Sequence, residues 1–182
     1  MTTNTIETSP QFRARLAGIF YLGTILTGAS ALVFANGRNI ANIIATICYI
    51  GVTWLFYGIF KPVNRNLSLL AALFSLAGCV VGALSPFHII PTYIPNNLVF
   101  FGVYCILIGY LVFKSTFLPK ILGVLMAIGG LGWLTFLSPS LAGSLSPFNL
   151  APGILGEGAL TLWLIAKGVN VEQWKKHAIE SA

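Results

Sequence analysis

Six long apolar runs, parted by short polar or proline-broken segments, account for most of this chain. They are Leu16 to Ala35, Asn39 to Phe60, Leu67 to Leu84, Leu98 to Phe113, Leu118 to Leu137 and Leu150 to Lys167. At about 1.5 Å per residue, helices of this length cross a hydrocarbon core of roughly 30 Å. The breaks have physical causes. Asn36-Gly37-Arg38 is a tight turn. Lys61-Pro62-Val63-Asn64-Arg65 stops the second run, because proline cannot continue a helix interior and two bases mark an interface. Ser85 to Asn97, SPFHIIPTYIPNN, carries three prolines and is too broken for a helix; its aromatics suit an interfacial loop. Ser138 to Asn149 is an uncharged linker. The expected fold is all-α and single-domain: an N-terminal tail 1–15, a six-helix membrane bundle 16–168 and a short amphipathic tail 169–182, in which Trp174, Lys175 and Lys176 suit a headgroup layer or a solvated tail equally.

Composition narrows the class further. Of 182 residues, 57% are hydrophobic and 8% charged, with a mean hydropathy of +0.88. Soluble domains carry about a quarter charged residues, so a water-soluble fold is excluded. The net charge of +6 does not indicate a nucleic-acid partner, because the bases sit at the ends of apolar runs and form no clustered face. They indicate orientation. With the N-terminus in the cytoplasm, the inner side collects Arg13, Arg15, Lys61, Arg65, Lys114, Lys120, Lys167, Lys175 and Lys176, and the outer side only Arg38. That is a strong positive-inside bias, with both termini cytoplasmic. Met1 to Ala14 is polar and lacks the short apolar core of a cleaved leader, so it reads as a tail before an uncleaved helix.

Little chemistry stands out. Cys48, Cys79 and Cys105 all lie in apolar runs, without zinc-ligand spacing, and read as small packing residues. His88 has no His or Cys near it and reads as an interfacial histidine. Nothing points to a metal or cofactor. Gly78 and Gly82 have the GxxxG spacing that lets helices approach closely, with Ala71, Ser75, Cys79 and Ala83 in an adjacent row of small residues. That face is expected to meet another helix, and small-residue faces could also join copies into a homo-oligomer. Lys61, Lys114 and Lys167 recur every 53 residues, as do the Leu-Ser-Pro triplets at 84 and 137. Three helical hairpins of equal length give this register without common ancestry. It places Glu157 and Tyr104, each ten residues before its lysine, at similar depth.

Several segments together resemble a known family. They are Arg15 to Leu22 (RLAGIFYL), Lys61 to Ala72 (KPVNRNLSLLAA), Phe101 to Tyr104 (FGVY), Gly109 to Ser115 (GYLVFKS), Leu118 to Leu125 (LPKILGVL) and Gly156 to Val169 (GEGALTLWLIAKGV). In this order and spacing the chain resembles the bacterial membrane proteins grouped as domain of unknown function 4386. The resemblance implies a six-helix inner-membrane protein and carries no established activity. Relatives tend to be longer around the first two helices, and many have a histidine where Tyr104 stands. A phenol in place of an imidazole argues against a proton relay with Glu157.

Glu157, between Gly156 and Gly158, is the one ionisable residue well inside an apolar run. An acid at membrane depth is costly and marks a candidate site. As a structural group it would be neutral and hydrogen-bonded to a neighbouring helix, contributing about 0.6–2 kcal/mol. As a transport site it would bind a cation or proton with polar neighbours at that height: Asn42 and Thr46 on the second helix, Thr24 and Thr27 on the first, Tyr104 on the fourth. An enzymatic role lacks parts, since no HExxH, GxSxG, paired aspartates or phosphate loop is present. The expected function is therefore a non-enzymatic integral membrane protein, with a small transporter using Glu157 as the alternative.

Overall fold

The computed structural model describes residues 9–33, 38–87, 89–91 and 94–180. Among them the secondary structure is entirely helical: α1 (Pro10–Val33), α2 (Arg38–Phe60), α3 (Arg65–Leu84), α4 (Asn97–Lys114), α5 (Lys120–Leu134), α6 (Pro139–Leu145), α7 (Ala151–Ala166) and α8 (Val171–Glu180), with 3-10 turns at Ser85–Phe87, Thr135–Leu137 and Phe148–Leu150. Five stretches are long and apolar enough to cross a membrane: Asn39–Phe60, Arg65–Phe87, Asn97–Lys114, Lys120–Leu137 and Phe148–Ala166. The first apolar run forms the body of α1; its last residues, 34–35, and the expected turn at Asn36-Gly37 lie outside the described residues, as does His88.

Helices α1 to α5 and α7 close into a ring. Each packs on its neighbour in sequence, α7 follows α5, and α7 returns to pack against α1. The outer surface of the ring is apolar, unlike that of a soluble bundle, and the mainly apolar interior also holds polar groups. Ile19, Ile43, Ile47, Trp54, Leu73, Leu131 and Leu162 point outward and are exposed, whereas Thr53, Ser75, Glu157 and Thr161 are buried. Lipid tails accept the first set at no cost, and polar groups must then be satisfied within the bundle.

Helices α4 and α5 approach each other very closely, and glycines permit it. A Cβ on Gly109 would stand 2.6 Å from the Gly123 carbonyl, and one on Gly123 would stand 2.5 Å from that of Gly109. Gly102 and Gly130 repeat the arrangement two turns away, as an antiparallel pair requires. Gly78 and Gly82 face α4 of the same chain, so this row is engaged within the bundle. Their neighbours there are side chains: the Phe101 ring 3.0 Å from a Cβ at Gly78, and Asn97 Nδ2 3.0 Å from one at Gly82.

Three boundaries differ from the hydropathy reading, each for a local reason. Helix α1 begins at Pro10, not Leu16, because the Ser9 hydroxyl accepts from the Phe12 N–H at 3.2 Å and Pro10 suits the first helical position. The N-terminal tail is correspondingly shorter than 1–15. The linker 138–149 contains α6, capped by the Ser138 hydroxyl and opened by Pro139. The C-terminal segment is a helix docked on the bundle. Gly168 at φ +70° ends α7, donating to the Trp163 carbonyl at 3.1 Å, and the Gln11 side chain bonds both Lys167 O at 2.8 Å and Val169 N at 2.9 Å. Trp174 of α8 then donates to Ile59 O at 2.9 Å. Both ends of the described chain thus lie at one end of the ring, here the terminal end.

These contacts rank three glycine substitutions. Gly109→Leu should cost about 1–3 kcal/mol or prevent folding, because it meets rigid backbone. Gly82→Leu should cost less, since the Asn97 side chain can turn away, and Gly158→Leu, with nothing within 4 Å, should be neutral. Thermal unfolding in detergent checks the order; equal stability of the Gly109 and Gly158 variants would refute the close approach.

Candidate functional site

Helix α7 can hold a carboxyl inside the ring because its glycines let α5 come very near. Leu125 O lies 2.5 Å from where a Gly156 Cβ would stand, Pro152 O lies 3.0 Å from that of Gly129, and Asn149 O lies 2.8 Å from that of Gly132. The Trp133 indole lies in the space that a Gly153 side chain would fill, one turn before Glu157. From there Trp133 Nε1 donates to Glu157 Oε1 at 2.8 Å. The Cys105 thiol of α4 donates to the same oxygen at 3.4 Å. One carboxyl therefore joins α4, α5 and α7, and is only 9% exposed.

Three tyrosines complete the interior. Tyr21 of α1, Tyr49 of α2 and Tyr104 of α4 are buried, with ring centroids 5.6 Å apart for Tyr21–Tyr49 and 5.7 Å for Tyr49–Tyr104, in edge-on geometry. The Tyr21 hydroxyl faces both the carboxyl and the thiol, without the geometry of a hydrogen bond to either. All three phenols and the thiol lie within electrostatic reach of Glu157. The hydroxyls of Tyr21, Tyr49, Tyr104 and Thr161 are buried with no hydrogen-bond partner among the described residues. Beside Tyr49, Thr53 and Ser75 pair at 2.5 Å and join α2 to α3.

Of the residues expected around Glu157, only Tyr104 is there. The hydroxyls of Thr27 and Thr46 bond back to their own helices, to Gly23 O at 2.7 Å and Asn42 O at 2.8 Å, and Thr24 bonds Phe20 O at 3.2 Å and Ala45 O at 3.4 Å. Asn42 and Thr46 line a separate cavity of about 200 Å³ between α2 and α3 at the end of the ring away from the termini. The threonine hydroxyls are answered locally, so they need no shared site. The residues that hydropathy did not single out are Tyr21, Tyr49, Cys105 and Trp133. Cys105 had a usable signal, as it stands next to Tyr104 in the register that aligns Tyr104 with Glu157. Trp133 and Tyr49 had none, because long aromatic side chains are ordinary in apolar runs. Chemically, the cluster offers one carboxyl, one thiol, three phenols and an indole donor. No three of His, Cys, Asp and Glu come together among the described residues.

The family described as Domain of unknown function (DUF4386) matches the chain over residues 37–92 and 96–168. An uncharacterized protein of the archaeon Archaeoglobus fulgidus is 31% identical over 125 residues, which cover 64% of this chain and 75% of the relative. No solved structure matches the chain. The two matched segments contain α2 to α7 whole, and with them Tyr49, Tyr104, Cys105, Trp133 and Glu157. This apolar helical chain is therefore a membrane protein of the DUF4386 family.

Proposed function

We propose that the chain is a non-enzymatic integral membrane protein of six spans, α1 being the first. Both termini would lie in the cytoplasm of a prokaryote, and Glu157 is the polar tie that closes the ring. The observation that carries the tie is the 2.8 Å bond from Trp133 to Glu157 across the α5–α7 seam, joined by the Cys105 thiol on the same oxygen. Support for the sixth span is the 24-residue length of α1, about 36 Å of helix against a core of roughly 30 Å. Support for the orientation is the gathering of all bases except Arg38 at the terminal end. The non-enzymatic reading rests on inventory. Among the described residues no second carboxyl, histidine, lysine or arginine stands beside Glu157, and Glu172 and Glu180 are on α8. The bilayer is the expected partner; copies that associate would use a face other than Gly78–Gly82, which faces α4.

One observation favours a second reading, transport of a proton or small cation. The partnerless hydroxyls of Tyr21, Tyr49, Tyr104 and Thr161 would be satisfied by water or a cation held beside the carboxyl.

Two substitutions separate these readings. Glu157→Gln retains a carbonyl that accepts from Trp133, whereas Glu157→Leu leaves the indole N–H and the thiol unpaired. A structural tie predicts near-wild-type stability for Gln, a loss of about 1–3 kcal/mol for Leu, and no ion flux into liposomes from any form. Flux by the wild type that both variants abolish would replace the tie with transport. Equal stability of all three without flux would remove both roles.

Orientation has its own test. In a background of Cys48→Ala, Cys79→Ala and Cys105→Ser, which keeps a donor to Glu157, Asn64→Cys should be labelled only from the cytoplasmic side and Gly143→Cys only from the other. Labelling of position 64 from outside would overturn the six-span arrangement.

A further inference from the structure

A groove of about 890 Å³ opens at the terminal end of the ring, between α1, the end of α2, the turn into α3, and α8. Its polar wall is Arg13, Lys61, Asn64 and Arg65. The acids of the described chain are Glu157, Glu172 and Glu180, and none of them lines it. Helix α3 starts in this wall: Asn64 caps it by accepting from the Leu67 N–H at 3.0 Å, and its first turn contains no acid but does contain Arg65. A cation at a helix N-terminus opposes the helix dipole, and Lys61 adds charge of the same sign. Arg13 has a partner of its own, and no acid among the described residues that line the groove offsets Lys61 and Arg65. An anion would, and a helix start flanked by bases is a favourable place for a phosphate.

The opposite wall says what else the occupant carries. Trp54 lies on α2 seven residues before Lys61, about 10 Å along the helix axis, and is 78% exposed on the lipid-facing side. Phe12, Leu16 and Leu55 continue this apolar side, and Phe12 is exposed as well. Trp174 of α8 closes the groove toward the termini, held by its bond to Ile59 O. A free phosphate would use only the basic wall. A molecule with a phosphate at one end and hydrocarbon at the other uses both, and its long axis would follow α2 from the charged turn into the apolar surface.

We propose that this groove binds an anionic phospholipid, its phosphate at Lys61, Arg65 and the start of α3, and its glycerol and upper acyl chains against Trp54. Basic pockets between helix ends are suited to such headgroups. The site is separate from the Glu157 cluster and independent of whether that cluster is structural or transporting.

The test uses the full chain, purified and delipidated in detergent, with thermal unfolding and native mass spectrometry as readouts. The probes are phosphatidylglycerol, phosphatidylcholine of the same acyl chains, and inorganic phosphate. Phosphatidylglycerol should raise the unfolding temperature and remain as one bound lipid; the other two should do neither. Lys61→Gln with Arg65→Gln, both on exposed side chains, should weaken phosphatidylglycerol binding about tenfold or more without lowering lipid-free stability. Lys114→Gln with Lys120→Gln, at the same end but outside the groove, should leave it intact. Equal stabilisation by phosphatidylcholine would reduce the effect to general solvation by lipid. Equal stabilisation by inorganic phosphate would make the groove a free-anion site. Loss of binding in both double variants would assign it to overall charge. Each of these three results overturns the proposal.

Discussion

A carboxyl removed from water must find hydrogen-bond donors within the protein, because hydrocarbon has none to offer. Around Glu157 the donors are the indole of Trp133 and the thiol of Cys105, on two other helices. The constraint propagates outward. For Trp133 to reach the acid, α7 must have no side chain at Gly153, and for α5 to be near enough, Gly156 must accept the Leu125 carbonyl against its Cα. Gly153 and Gly156 are thus conditions for Glu157, the one buried acid among the described residues, to be paired. The same pairing holds α7 in place to meet α1 and complete the ring.

The ring also explains where the aromatic residues went. With apolar side chains free to face lipid, the interior does not need to be built from aliphatic residues alone. Tyr21, Tyr49, Tyr104 and Phe56 fill it with edge-on contacts at 5.6–5.8 Å, each ring covering much area with few rotatable bonds. The column continues through Phe60 and Phe117 to His177 of α8, so the packing of the interior runs into the helix that covers the terminal end. That end is fastened by hydrogen bonds from Gln11, Trp174 and Thr116, which tie both flanks of the chain to the bundle and give the basic groove a fixed wall.

Hydropathy by itself determined the helical class and the position of α2 to α5 and α7 to within a few residues. The reason is that lipid imposes one dominant rule, a run of apolar residues as long as the core is thick. The same rule singled out Glu157, since an acid within such a run is conspicuous in one dimension. Lys61, Lys114 and Lys167 marked helix ends because bases stop where the hydrocarbon begins.

Tertiary structure alone decided which residues surround that acid. A transmembrane helix shows no polar face against an apolar one, so the sequence does not say which side of α1 or α2 turns inward. Threonines and asparagines at the right depth were therefore natural neighbours for Glu157, yet Thr27 and Thr46 satisfy themselves on the preceding turn. Trp133 and Tyr49, indistinguishable in sequence from lipid-facing aromatics such as Trp54, turn inward instead. Rotation of each helix about its axis is set by the glycine contacts between α4, α5 and α7, which exist only once the helices have met.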